Sequence, residues 1–147
     1  MYKNILVPTD GTKLSDKAVN HATGLAKAVG AKITLFYAAP DYPMPAYADG
    51  VMYESVSRRE YSKLAAADAE KILAAASAKV AAAGVECETA YAIAAAPWES
   101  ILAAAKKHKS DVIVMASHGR RGVSALLLGS ETQKVLTHSK LPVIVVR

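Results

Sequence analysis

Apolar positions follow two rhythms that alternate along the chain. Ile5-Leu6-Val7 is a short unbroken apolar run closed by Pro8, Asp10 and Gly11. Such a run reads as a strand covered on both faces and followed by a loop. Leu14, Ala18, Ala22, Leu25 and Val29 then recur at three- and four-residue spacing, the repeat of one helix face. Thr12 or Ser15 suits the start of that helix as a cap, and Gly30 suits its end. Ile33 to Ala38 is a second apolar run, so the first stretch of chain predicts a βαβ unit with a right-handed crossover.

Between residues 40 and 56 the rhythm stops. Pro40, Pro43, Pro45, Asp49 and Gly50 break any regular pattern, and Tyr42, Met44, Tyr47, Met52 and Tyr53 punctuate it. The segment reads as a long loop, either packed on the surface or covering a ligand or a subunit contact. From Arg58 to Ala83 the chain is alanine-rich, with Tyr61, Ala65, Ala69, Ile72, Ala76 and Val80 on one stripe. This predicts a long helix lying close to a sheet and stopped by Gly84.

Val85 to Tyr91 alternates loosely and reads as a less covered strand. Pro97 suits a first helical turn, and Trp98, Ile101, Leu102, Ala105 and His108 would face inward or partly so. Asp111 to Ala116 is the clearest buried strand. A helix over Ser130 to His138 and a final strand at Pro142 to Val146 complete the pattern. The reading is one α/β domain over 1–147: a Rossmann-like three-layer α/β/α sandwich on a five-stranded, mostly parallel sheet.

Composition narrows the choices further. Of 147 residues, 52% are hydrophobic and 21% charged, which excludes a disordered chain. The single cysteine, Cys87, excludes an internal disulfide framework and a multi-cysteine metal site. No apolar run is long enough for a membrane span, and Pro8 breaks the N-terminal run too early for a signal peptide. The expectation is a cytoplasmic protein without membrane insertion. The formal net charge of +5 is spread among interleaved acids. With no aromatic-basic interleaving, the charge predicts a solvated surface and not a nucleic-acid partner.

Doubly wound sheets bind ligands beyond the carboxyl ends of their strands. That directs attention to Pro8–Gly11, Ala38–Asp41 and Ala116–Gly122. The last of these runs Ala116-Ser117-His118-Gly119-Arg120-Arg121-Gly122, and Gly129-Ser130 opens the next helix. Glycines let backbone amides approach a ligand, and a helix start favours an anion. Spacing alone leaves two readings open, a phosphate cradle and plain turn and cap roles.

The whole chain resembles the UspA superfamily of universal stress proteins. The likeness rests on Ile5-Leu6-Val7-Pro8-Thr9-Asp10-Gly11, on Leu126 to Leu136, and on Leu141-Pro142-Val143-Ile144-Val145-Val146. The nucleotide-binding branch carries glycine, two residues, glycine, nine residues, then glycine and serine or threonine. Gly119, Arg120 to Leu128 and Gly129-Ser130 match its later parts, while Ala116 stands at the first glycine. Alanine there costs about 1 kcal/mol or more if φ must be positive, and little if the backbone is strand-like. Its place at a strand end predicts the second case.

The resemblance implies ATP, AMP or another adenine nucleotide as ligand, with Mg²⁺. Asp10 would meet the ribose, or the metal indirectly through nucleotide-bound Mg²⁺. Pro8 and Thr9 would shape the adenine side, and the backbone of Ala38 would read the base. Ala116, His118, Gly119, Arg120, Arg121, Gly129, Ser130, Glu131 and Thr132 complete the cofactor-binding set. For His118 a structural hydrogen bond competes with a ligand contact, and for the arginines a solvated position does.

The resemblance also implies a homodimer through the edge strand 142–146, and an exposed apolar edge invites the same pairing. The chain has no Gly-x-x-x-x-Gly-Lys loop, catalytic carboxylate pair or nucleophile elbow, so no catalytic residue is assigned. The leading function is a dimeric, adenine-nucleotide-binding switch for stress regulation, acting on an unidentified protein partner. A nucleotide-free interaction dimer is the alternative that Ala116 favours. Slow hydrolysis or autophosphorylation, with Ser130 and Thr132 as acceptors, is the third.

Overall fold

The computed structural model describes residues 1–42, 46–48, 51–53, 56–120 and 127–147. Arg121 and the other residues of 121–126 lie outside the described residues. Five strands form one sheet: β1 (Asn4–Pro8), β2 (Lys32–Pro40), β5 (Cys87–Ala94), β6 (Val112–Ala116) and β7 (Val143–Val146). They lie side by side as β5-β2-β1-β6-β7, every pair parallel. The helices are α1 (Lys13–Val29), α2 (Arg58–Ala82), α3 (Pro97–Lys107) and α4 (Ser130–His138). The three-layer, mostly parallel sheet expected from the alternation is the observed fold.

The central strands explain why the apolar runs are unbroken. Ile5 and Val7 point to the layer of α1 and α2, whereas Leu6 points to that of α3 and α4. Each strand residue therefore meets a core, and alternation disappears. Alanines at 69 and 76 of α2 and at 22 and 26 of α1 sit in the first core and bring both helices close to the sheet. β5 lies at an edge and keeps Tyr91 and Ile93 exposed, in line with its looser pattern.

Two helix details differ from expectation. The buried face of α1 is Ser15, Ala18, Val19, Ala22, Thr23 and Ala26, with Val29 exposed. The helix is rotated from the Leu14–Val29 stripe because small residues admit the closest approach to the sheet. Thr12, not Ser15, caps it by accepting from the Ser15 amide.

The segment expected to lack regular structure holds a short antiparallel pair, β3 (Ala46–Ala48) with β4 (Val51–Tyr53). Asp49 and Gly50, between the two strands in sequence, lie outside the described residues. Its flanks are tied down: the Tyr61 hydroxyl donates to the carbonyls of Pro40 and Asp41, and Tyr42 donates to Val56.

Sheet order places the switch point between β1 and β6. From β1 the chain winds outward through β2 to β5, then returns beyond β1 to β6 and β7. β1 pairs with β2 along its whole length, Asn4↔Lys32 to Pro8↔Phe36. With β6 it pairs only at Ile5↔Val112 and Leu6↔Ile113. That ladder ends short of both carboxyl termini, which opens a crevice above them.

Candidate functional site

The β1 exit forms one wall of the crevice. Thr9 is buried; its amide donates to Phe36 O at 2.9 Å, and its hydroxyl lies 3.1 Å from that of Ser15. Pro8 is half-buried just before it. Asp10 then turns back on its own chain. Its Oδ1 accepts from Thr12 N at 3.0 Å and Thr12 Oγ1 at 2.7 Å, the self-bonding turn that aspartate favours. Gly11 follows at φ 77°, where a Cβ would lie 3.3 Å from Ile72 of α2.

The β6 exit forms the other wall and reaches across. Arg120 N donates to Asp10 Oδ2 at 3.0 Å, and Arg120 Nε donates to the Asp10 carbonyl at 3.1 Å. Burial alone would raise the Asp10 pKa. The hydrogen bonds from Thr12, Ser15 and the Arg120 amide outweigh it, so the carboxyl titrates below its ordinary value. A carboxylate oxygen has room for about two hydrogen bonds. Oδ2 holds one from Arg120, which leaves it able to accept from a hydroxyl.

Both glycines of the motif stand where a side chain would be crowded. A Cβ on Gly119 would stand 2.7 Å from Asp10 Oδ2. One on Gly129 would stand 3.0 Å from Cα and Cβ of His118 and 3.2 Å from Ser117 O. Gly129 has φ −59°, and Gly119 is not among the residues with positive φ. These glycines pack the β6 exit against Asp10 on one side and against the α4 start on the other.

Ala116 ends β6 buried, and among the described residues Lys109 is the only non-glycine with positive φ. Alanine at 116 therefore carries no backbone penalty. Its carbonyl accepts from Thr132 Oγ1 at 3.0 Å, so the Thr132 hydroxyl is buried and engaged. Gly129 N donates to Ser117 O at 2.7 Å. These two bonds hold the first turn of α4 against the end of β6.

Gly129 is the N-cap of α4, and no side chain caps it. Ser130 is the first helical residue and is exposed. The amides of that turn have no partners inside the helix and carry the positive end of its dipole. His118 is half-buried with Nδ1 3.1 Å from Ser117 Oγ, the hydrogen-bonded arrangement. Arg120 is exposed, and Ala38 is half-buried at the end of β2, paired in register with Ala92. Arg121 falls outside the described residues.

Glu131 does something the motif did not suggest. Its Oε2 accepts from Trp98 N of α3 at 2.8 Å, and its Oε1 lies 3.2 Å from Lys134 Nζ. α3 starts with Ala96 as N-cap and has no side-chain cap of its own, so Glu131 serves its first turn from another helix. Sequence reasoning also passed over Tyr37. Buried on β2, its hydroxyl donates to Asp68 of α2 at 3.3 Å. Burial and the Asp68 charge raise its pKa, and the charges of Asp10 and Arg120 also reach it. The pair spans 31 positions, so no local pattern signals it.

Among the described residues no group of three or more His, Cys, Asp or Glu is placed to hold a metal ion. None of the helices there is long and apolar enough to cross a membrane.

The universal stress protein family model matches residues 1–147. The chain belongs to the universal stress protein family. It is 35% identical to a universal stress protein of Thermus aquaticus, with 100% of both chains covered. The solved UspA of Lactobacillus plantarum is 29% identical with a TM-score of 0.76, the match covering 99% of this chain and 98% of that one. A universal stress protein solved in complex with cAMP is 27% identical with a TM-score of 0.71, covering 99% and 97%.

Proposed function

We propose that this universal stress protein binds an adenine nucleotide in the β1–β6 crevice and acts as a dimeric regulatory switch. The observation that carries this reading is the juxtaposition at the switch point. The Asp10 carboxylate keeps acceptor capacity beside Gly119, and the same β6 exit holds the uncapped first turn of α4 through Ser117. A hydroxyl donor at one end and an anion at the other describe a nucleoside phosphate. The cAMP complex of a 27%-identical relative supports the same ligand class.

Asp10 would accept from the ribose, while Pro8, Thr9 and the backbone at Ala38 would border the base. The α4 amides, Ser130 and Arg120 would meet phosphate. ATP, AMP and cyclic nucleotides share these features. Mg²⁺ would arrive with the phosphates, because the described carboxylates do not make a cation cage. The strain-free backbone at Ala116 weighs against the nucleotide-free alternative. Two chains would join through β7, and ligand binding would alter the surface offered to a protein partner.

Isothermal titration with adenosine, AMP, cAMP and ATP, with and without Mg²⁺, tests the reading. Binding of at least one nucleotide, weakened about tenfold or more by Asp10→Ala, is the expected result; a hydrogen bond to a charged group is worth about 1.5–3 kcal/mol. No binding of any of the four at millimolar concentration would overturn it.

A further inference from the structure

Two helix N-termini meet at one carboxylate. Glu131 is the second residue of α4, whose first-turn amides form the phosphate end of the proposed site. Its side chain accepts from the Trp98 amide in the first turn of α3. The rings of Trp98 and His138 lie 4.5 Å apart and hold the two helices together farther along. The Glu131 side chain is 35% exposed, so water screens its charge only in part. Lys134 offsets that charge from one side, at 3.2 Å. The residue that carries this negative charge thus belongs to the first turn of the helix whose amides would meet phosphate.

We propose that Glu131 is a specificity-determining residue that limits how much phosphate charge the site accepts, favouring nucleoside monophosphates, open or cyclic, over triphosphates. The proposal rests on the nucleotide reading above. Each phosphate beyond the first adds negative charge, while the attraction from the α4 dipole and Arg120 is fixed. The Glu131 charge opposes each addition and leaves the uncharged adenosine moiety untouched. Glutamine at 131 keeps an oxygen that accepts from Trp98 N, so it removes the charge and retains the helix–helix bond.

The test measures affinities of adenosine, AMP and ATP for the wild type, Glu131→Gln and Lys134→Ala. Charges at a helix terminus shift such equilibria by about two- to five-fold. Glu131→Gln should raise ATP affinity relative to AMP by that factor and leave adenosine unchanged. Lys134→Ala, which bares the carboxylate, should shift the ratio the opposite way, and it keeps the test open if Glu131→Gln fails to fold. An unchanged ATP-to-AMP ratio in both variants, or equal weakening of all three ligands, would overturn the proposal while leaving the nucleotide reading standing. A wild type that binds none of adenosine, AMP, cAMP and ATP would overturn both.

Discussion

At the scale of single residues, Asp10 determines more than its own contacts. Its Oδ2 fills the space that a Gly119 side chain would need, at 2.7 Å. Gly119→Ala should therefore destabilise the fold in urea unfolding, and far less in an Asp10→Ala background. Neighbours of this kind couple by about 0.5–3 kcal/mol; simple additivity would refute the packing explanation. Asp10 also predicts a pH dependence. Its folded pKa lies below the ordinary carboxyl value of 3.8. The unfolded chain takes up the proton first, so the stabilisation is present above that value and is lost as pH falls through the folded pKa. The stability gap between wild type and Asp10→Asn should be constant near neutrality and shrink below pH 3.8. A gap that widens in acid would contradict the sign.

The local turn chemistry of the candidate site is legible in the sequence; the contacts that join it to distant elements are not. The turn Asp10-Gly11-Thr12 carries a local signature, because an aspartate that bonds the amide two residues on needs only its own neighbours. Gly119 and Asp10 lie far apart in sequence, so nothing local could show that one makes room for the other. Glu131 follows Gly129-Ser130 in the motif, but its partner Trp98 stands on another helix, 33 positions away.

At the scale of elements, α2 shows how local chemistry and packing agree. Ser57 accepts from Glu60 N while the Glu60 carboxylate accepts from Ser57 N, a reciprocal capping box. Those hydrogen bonds hold the Glu60 carboxyl below its ordinary pKa. Ser57→Ala should cost about 1 kcal/mol in chemical denaturation, and no loss would show that packing alone sets the helix start. The stripe read for α2 matches its buried face because both core layer and period lie within one element. The α1 stripe holds at Ala18 and Ala22 but not at its larger members. Ser15, Val19, Thr23 and Ala26 join those two alanines in the buried face, while Leu14 and Leu25 lie at the flanks and Val29 is exposed. The β3–β4 pair was missed because segments of three residues carry no period to read.

At the scale of the whole molecule, strand count and class followed from alternation, whereas the order β5-β2-β1-β6-β7 rests on contacts between distant segments. That order leaves β7 at an edge with a definite polarity. Pro142 O accepts from Ile113 N, and Val146 O accepts from Ser117 N, so even-numbered residues of this strand face β6. Backbone groups alternate sides along a strand. The N–H and C=O of Val143 and Val145 therefore point away from the sheet, where a second chain would pair. Val145→Pro removes one outward donor and spares the β6 ladder, a substitution that edge strands tolerate. If the homodimer forms through β7, the wild type should sediment as a dimer at micromolar concentration. Val145→Pro should then sediment as a folded monomer, with its circular dichroism retained. A variant that stays dimeric would place the interface elsewhere, and the other exposed edge, β5 with Tyr91 and Ile93, would be the next to test.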